Sequence, residues 1–116
     1  PKYIRFPGGS SNTKSAKYSK GLMTTLVSEV QNRGYQYYDW NADSTDAGGN
    51  NRPVSVLVKN ATQSKAKNIN LLMHDTAAKS TTVEALPKII EHYQKLGYTF
   101  KGIDDTSFTP HHGVNN

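Results

Sequence analysis

The chain has 116 residues, of which 14 are Lys or Arg and 9 are Asp or Glu, so its formal net charge is +5. This length bounds it to one domain, and 34% hydrophobic with 20% charged residues excludes a membrane-spanning or plainly disordered protein. The sequence contains no Cys, which excludes disulfides and thiolate metal sites. Because the basic residues are spread along the chain, they indicate a solvated surface suited to an anionic polymer rather than a nucleic-acid patch.

The first two predicted strands flank one helix. Residues 2–6 form an apolar strand, which is followed by a loop of turn formers. Residues 15–33 carry apolar side chains at helical spacing on one face, and this pattern predicts a helix. Gly34 lies where a helix C-terminus favours the left-handed backbone conformation. Residues 35–40 then form a short second strand that is rich in aromatic residues.

A long polar loop separates these elements from the next helix. The loop covers residues 41–52, a length that is usually functional or mobile in a compact domain. Pro53 is suited to the first turn of a helix, which we expect to continue to about residue 65. A strand over residues 54–58 is the alternative, because valines alternate there.

The last predicted elements are a buried strand, a helix and a final strand. Residues 68–73 are the most apolar run and predict the most buried strand. A capping box that begins at Thr81 starts the helix, Pro87 should kink it or shift its start, and Gly97 ends it. Residues 98–103 form the predicted fourth strand.

The element order β-α-β-α-β-α-β predicts an α/β fold with parallel strands and right-handed crossovers. Such a chain makes either half of a (β/α) barrel or one small open sheet. Both architectures place their chemistry at the C-terminal ends of the strands. Residues that directly follow the predicted strands are therefore the candidates for function.

Two of these strand ends carry side chains suited to chemistry. Arg5 precedes a Pro-Gly-Gly turn, where a fixed guanidinium could clamp a carboxylate; a plain surface arginine is the alternative. His74 ends the buried strand and is followed by Asp75, which suits acid/base catalysis, although a structural histidine is common at such a position.

Three carboxylates crowd the loop near Trp40, namely Asp39, Asp43 and Asp46. They could bind Ca²⁺, but their spacing lacks the closing bidentate Glu of the usual calcium loop. They could instead be solvated loop acids, or one of them could orient a histidine. Because no phosphate loop, nucleophile elbow or zinc-protease helix occurs, the residues by themselves favour a hydrolytic acid/base site.

Three stretches together resemble the polysaccharide deacetylases, the NodB-homology domain of carbohydrate esterase family 4. They are Arg5-Phe6-Pro7-Gly8-Gly9, the run from Tyr38 to Asp46, and Leu71-Leu72-Met73-His74-Asp75. They are similar to the third, fourth and fifth of the family's five motifs, and the similarity covers nearly the whole chain. The resemblance implies that residues 1–116 are the C-terminal half of a distorted (β/α) barrel domain.

The resemblance also implies catalytic roles for three residues. Arg5 matches the family's arginine that holds the catalytic base. His74 matches the general acid that protonates the leaving amine. Asp46 matches the carboxylate that tunes this histidine.

Substrate contacts are implied in the same way. Leu72 matches the residue that lines the acetyl pocket, and Pro7 lies in the third motif beside the substrate. Ala47 stands where the family has a tryptophan, so that aromatic wall is missing unless Trp40 replaces it in part.

The first and second motifs, which supply the base and the metal ligands, are not found in this sequence. The resemblance therefore implies a divalent metal, zinc or cobalt, in the full-length enzyme and none bound by this chain alone. We expect the C-terminal part of an extracellular or cell-wall deacetylase that acts on N-acetyl groups of peptidoglycan or a chitin-like glycan and is inactive in isolation. Its expected partners are the missing N-terminal half or a second copy, with no nucleic acid and no membrane span. A non-catalytic glycan-binding or assembly fragment and a basic nucleic-acid-binding domain are the alternatives.

Overall fold

The computed structural model describes residues 2–116 and contains short strands and longer helices. In chain order these elements are β1 (Tyr3–Ile4), α1 (Leu22–Asn32), β2 (Gln36–Tyr37), β3 (Ala42–Asp43), α2 (Val54–Ala61), β4 (Leu71–Leu72) and α3 (Ser80–Lys95). Short 3₁₀ helices cover Lys14–Lys17, Asp46–Gly48 and Ala77–Lys79. The chain divides into two units: the described residues through Trp40 with Phe108–Asn116, and the continuous segment Asn41–Ser107.

The first unit is a β-α-β arrangement closed by the end of the chain. β1 pairs in parallel with β2, with Tyr3 opposite Gln36. Its buried core consists of Phe6, Met23 and Tyr37, against which the apolar face of α1 packs. Gly34 adopts φ 80° after α1, as predicted, and the Tyr35 N–H donates to the Val30 carbonyl at 2.9 Å.

The predicted helix over residues 15–33 is interrupted. A 3₁₀ turn at Lys14–Lys17 precedes α1, which starts only at Leu22. Gly21 separates the two because it adopts φ 79°, a conformation that a continuous right-handed helix excludes.

The second unit repeats the parallel pairing, since β3 pairs with β4 and Asp43 lies opposite Leu72. Residues 54–58 lie in α2, so the helical prediction is confirmed and the strand alternative is wrong. α2 packs on α3 through a hydrophobic core, in which the Tyr93 hydroxyl donates to the Ala61 carbonyl. The buried members of this core are Leu57, Ala61, Ala85, Ile89 and Tyr93.

Three local predictions in this unit are wrong. Residues 41–52 are not simply a loop, because β3 and a 3₁₀ turn lie within them. Residues 98–103 form no strand, because no described residue pairs with them, and the side chains of Phe100 and Ile103 are exposed. The capping box does not form, because the first N–H of α3, that of Ser80, is capped at 2.9 Å by the Asn51 side chain.

α3 continues through Pro87 rather than starting after it. Within residues 2–116, no helix has both the length and the apolar character required to cross a membrane.

Candidate active site

The parallel pairing of β3 and β4 brings a carboxylate and an imidazole together. His74 lies two residues beyond β4, and Asp46 lies three residues beyond β3, so both follow strand ends at the same sheet edge. The His74 ring Nδ1 is 2.8 Å from Asp46 Oδ1, and the His74 backbone N–H donates to Asp46 Oδ2 at 2.7 Å. The Asp46 side chain is only 2% exposed, whereas the ring is 35% exposed. The pair therefore joins a buried charge to a solvent-accessible ring.

Asp46 is ionised in this setting. Burial acts to raise the pKa of Asp46, but the bonds from the His74 ring, the His74 backbone and the Thr82 hydroxyl, the last at 3.0 Å, lower the pKa below its usual value. Because a carboxylate only accepts hydrogen bonds, the proton between the two side chains belongs to His74 Nδ1. No other described residue bonds the ring, so Nε2 is available to a substrate.

The backbone that carries Asp46 is strained immediately before it. Thr45 adopts φ 65° and ψ 19°, the left-handed region that β-branched residues rarely enter. Such a conformation costs about 1–3 kcal/mol and persists only where surrounding contacts hold it. On the other side, the Lys79 ammonium donates to the carbonyls of Asp46 and Gly49, both at 2.7 Å.

Leu72 lies in β4 and is buried, with 7% of its surface exposed. Its carbonyl accepts bonds from the backbone N–H and the hydroxyl of Ser44, each at 3.2 Å. Ala47, where the family has an aromatic residue, is exposed.

The first unit contains the third-motif residues on a rigid turn. The Gly9 N–H donates to the Phe6 carbonyl at 2.8 Å and Gly8 adopts φ 72°, which makes Phe6 to Gly9 a type II turn with Pro7 at its second position. Arg5 and Pro7 are exposed, and Arg5 has no hydrogen bond or ion pair with any of residues 2–116.

Gly9 is required at its position. It adopts φ 80°, and a Cβ atom there would lie 2.9 Å from Trp40 Cη2 and 3.1 Å from Asp39 Oδ1. The ring of Trp40 thus covers the turn that follows β1.

Asp39 has a role that the sequence interpretation missed. It is buried, with 1% of its surface exposed, and is not a solvated loop acid. Its carboxylate accepts bonds from the backbone N–H and the hydroxyl of Ser10, at 2.8 and 2.5 Å, and from the backbone N–H of His112 at 2.8 Å. Burial acts to raise the pKa of Asp39, but these bonds lower it.

Both ring nitrogens of His112 also have partners within the protein. Its Nε2 donates to the Trp40 carbonyl at 2.8 Å, and its Nδ1 lies 3.2 Å from the Ser11 hydroxyl. The spacing of Asp39 and His112, 73 positions apart in the chain, gives no local signal that they meet.

The predicted site residues thus divide between the two units. His74, Asp46 and Leu72 lie in the second unit, and Arg5, Pro7 and Trp40 lie in the first. Within residues 2–116, no group of three or more His, Asp or Glu side chains is placed to hold a metal ion.

Comparison with known proteins gives a consistent relationship. No protein-family profile matches the chain. YheN of Bacillus subtilis (strain 168), assigned as a polysaccharide deacetylase, is 31% identical over 113 residues, which are 93% of this chain and 36% of that protein.

Solved structures have the same fold. The catalytic domain of the peptidoglycan N-acetylglucosamine deacetylase from Eubacterium rectale is 41% identical with a TM-score of 0.91, and the match covers 98% of this chain and 52% of that one. The polysaccharide deacetylase from Bacillus cereus is 29% identical with a TM-score of 0.75, and the match covers 96% of this chain and 52% of that one. The family 4 carbohydrate esterase from Streptomyces lividans, solved with acetate, is 25% identical with a TM-score of 0.68, and the match covers 96% of this chain and 50% of that one.

Over nearly its whole length, the chain is therefore similar to about half of the domain of several carbohydrate deacetylases and esterases. The resemblance to the polysaccharide deacetylases of carbohydrate esterase family 4 is confirmed, as is the prediction of part of a (β/α) barrel with parallel strands. The chain spans about half the length of these solved relatives and 36% of the curated one.

Proposed function

We propose that this chain is the half of a polysaccharide deacetylase that supplies the general acid, and that the complete domain hydrolyses N-acetyl groups of peptidoglycan or a related glycan. The observation that carries the proposal is the bonded pair of buried Asp46 and half-exposed His74. The similarity to a peptidoglycan N-acetylglucosamine deacetylase over 98% of the chain supports the choice of substrate.

The proposed chemistry of this half is proton delivery. Hydrolysis of an N-acetyl group must expel an amine, which leaves only when its nitrogen is protonated. His74 donates that proton from Nε2 while its Nδ1–H stays bonded to Asp46, whose negative charge stabilises the protonated ring. When Nε2 has given up its proton, the ring is neutral and remains held by the same bond.

The remaining roles follow from the resemblance. Leu72 lines the acetyl pocket, Arg5 holds the base that another part of the domain supplies, and Pro7 and Trp40 contribute to the substrate surface. The guanidinium of Arg5 is exposed and has no hydrogen bond or ion pair with residues 2–116, so it is available for such a contact.

The resemblance also implies a divalent metal, but the described residues do not fit one. His74 Nδ1 is bonded to Asp46, and both ring nitrogens of His112 have protein partners. Asp39 is the only other buried carboxylate within residues 2–116. Its oxygens accept hydrogen bonds from Ser10 and His112. The proton delivery proposed for this half therefore involves no metal held by residues 2–116.

We propose that the protein works outside the cell or at the cell wall, where its substrate lies and where a net charge of +5 favours anionic polymers. We also propose that the chain requires the other half of the domain or a second copy. Several large apolar side chains are exposed on α3 and on the segment that follows it, among them Val83, Leu86, Leu96, Phe100 and Ile103.

A chimera tests this function. Residues 2–116 would replace the matching half of the Eubacterium rectale deacetylase, and acetate release from a soluble N-acetylated chitooligosaccharide and from peptidoglycan would be measured. We expect the chimera to release acetate and the isolated chain to release none. A folded chimera that binds the glycan without releasing acetate would instead support the non-catalytic alternative, which the missing aromatic residue at Ala47 favours.

A further inference from the structure

We propose that Arg52 and Asn60 are positioning residues for the general acid, because they hold Thr45 in its left-handed conformation and so fix Asp46 against His74. This inference rests on the proposed function for its catalytic meaning. Its structural content, the dependence of the Asp46–His74 contact on two side chains that hydrogen-bond Thr45 and neither member of the pair, stands on its own.

Hydrogen bonds to its polar atoms hold Thr45 in place. Arg52 Nη1 donates to the Thr45 carbonyl at 2.8 Å and to its hydroxyl at 2.7 Å, and Asn60 Nδ2 donates to the same hydroxyl at 2.8 Å. The Thr45 N–H donates to Asp43 Oδ1 at 2.7 Å. Side chains from three places in the sequence thus converge on one strained residue.

The loop leaves room for this arrangement. A Cβ atom on Gly48 would lie 3.0 Å from Arg52 Nη1, and one on Gly49 would lie 3.5 Å from Arg52 Cγ. The missing Cβ of Gly48 therefore makes room for the Arg52 guanidinium that reaches Thr45, whereas a Cβ on Gly49 would make only an ordinary contact.

The backbone conformation of Thr45 sets the direction in which the Asp46 side chain points. The left-handed residue is the last before the 3₁₀ turn Asp46–Gly48, so its φ and ψ decide where the next side chain points. Asp46 is the residue whose two oxygens bond the ring and the backbone of His74. If Thr45 relaxed to an ordinary backbone conformation, the carboxylate would rotate away from both donors.

The charged groups near Asp46 and His74 do not hold the Asp46 carboxylate in position instead. Lys79 bonds the backbone carbonyls of Asp46 and Gly49 rather than the carboxylate. Asp43 bonds the Thr45 N–H, and Asp75 next to His74 is exposed. Among the described residues, His74 and Thr82 hydrogen-bond the carboxylate itself, and neither of them hydrogen-bonds Thr45.

The test compares Asn60→Ala and Arg52→Gln with Lys59→Ala, an exposed residue on the same helix as Asn60. Amide hydrogen exchange in the 116-residue chain would follow the His74 backbone N–H, with Ile89 in the α2–α3 core as the reference. We expect Asn60→Ala and Arg52→Gln each to speed amide exchange at His74 by about fivefold or more, the factor that one hydrogen bond of ordinary strength supplies. Ile89 should be unaffected, and Lys59→Ala should change neither position. Arg52→Lys, which keeps a charged donor, should recover part of the protection.

Activity of the same variants in the chimera gives the second measurement. A misplaced general acid should lower kcat by about 10- to 100-fold with little change in KM, and should shift the alkaline limb of the pH–rate profile. Unchanged amide exchange at His74 in both Asn60→Ala and Arg52→Gln would overturn the inference. Equally faster exchange at His74 and Ile89 would also overturn it, because it would mean a general loss of stability. An inactive wild-type chimera, combined with the expected exchange pattern in the variants, would overturn the proposed function but not the role of Arg52 and Asn60 in holding Thr45.

Discussion

Replacing Asp46 by Asn removes one negative charge and changes few other atoms. The carboxylate accepts three hydrogen bonds, from the His74 ring at 2.8 Å, the His74 backbone at 2.7 Å and the Thr82 hydroxyl at 3.0 Å. An amide oxygen in the place of Oδ2 can keep the last two. The amide NH₂ then faces His74 Nδ1, which must lose its proton in order to accept.

The size of the effect follows from these three bonds. A hydrogen bond to a charged group contributes about 1.5–3 kcal/mol to stability, against about 0.5–1.5 kcal/mol for a neutral one. The change from a charged to a neutral acceptor, with one bond reversed, should therefore lower the free energy of unfolding by about 2 kcal/mol at pH 7. Urea denaturation of Asp46→Asn and wild type would measure it, with the exposed neighbour Asp75→Asn as the control, which we expect to unfold like wild type.

The stability difference between wild type and Asp46→Asn should depend on pH. The folded-state pKa of Asp46 lies below its unfolded value of about 4, so its contribution is complete above that pH and is lost as the pH falls through the folded value. The stability difference between wild type and Asp46→Asn should shrink when denaturation is repeated below about pH 4. Asp39, whose pKa is also lowered, is present in both proteins and cancels in this comparison. A difference that stays constant from neutral to strongly acid pH would refute the assigned contacts.

Three further outcomes are expected. In the chimera, His74→Ala should lower turnover by about 10²- to 10⁴-fold in an acetate-release assay, as for a lost general acid, and a variant with near-normal turnover would remove His74 from the mechanism. Gly9→Ala should lower the free energy of unfolding by about 1–3 kcal/mol, because its Cβ would meet Trp40 at a backbone conformation suited to glycine. Gly113→Ala, with no atom within 4 Å of its Cβ, is the control, and equal urea midpoints for the two would contradict the packing. Light scattering of the 116-residue chain should show self-association through its exposed apolar side chains, and a monodisperse monomer with a cooperative melt would count against it.

Patterns with a local physical cause were predicted well from the sequence. Gly34 and Gly97 end α1 and α3 with φ near 80° and 88°, because only a residue without Cβ adopts that conformation at little cost. The parallel pairing was also expected, since helices of sufficient length separate the strands. The prediction of a fourth strand was wrong for the opposite reason. An apolar run becomes a strand only when another strand pairs with it, and no strand within residues 2–116 pairs with residues 98–103.

The candidate site was predictable only in part. The resemblance placed Asp46 beside His74, and the structure shows them in contact, whereas the roles of Arg5, Leu72, Pro7 and Trp40 stay predictions. The sequence could not distinguish buried Asp39 from the exposed acids nearby, because its partners at Ser10 and His112 are distant in the chain. The left-handed Thr45 also escaped prediction, since its conformation is imposed by side chains outside its own turn.

The pairing of Asp39 with His112 has a consequence for the order in which the protein is completed during synthesis. The second unit, Asn41–Ser107, is one continuous stretch, so all of its residues are synthesised before Phe108–Asn116. The first unit includes Phe108–Asn116, so Asp39 lacks the His112 N–H until residue 112 has been synthesised. Until then, the turn after β1 and the Trp40 ring that covers it are secured only by their early neighbours. The turn that carries Arg5 should therefore become rigid only after residue 112 has been synthesised.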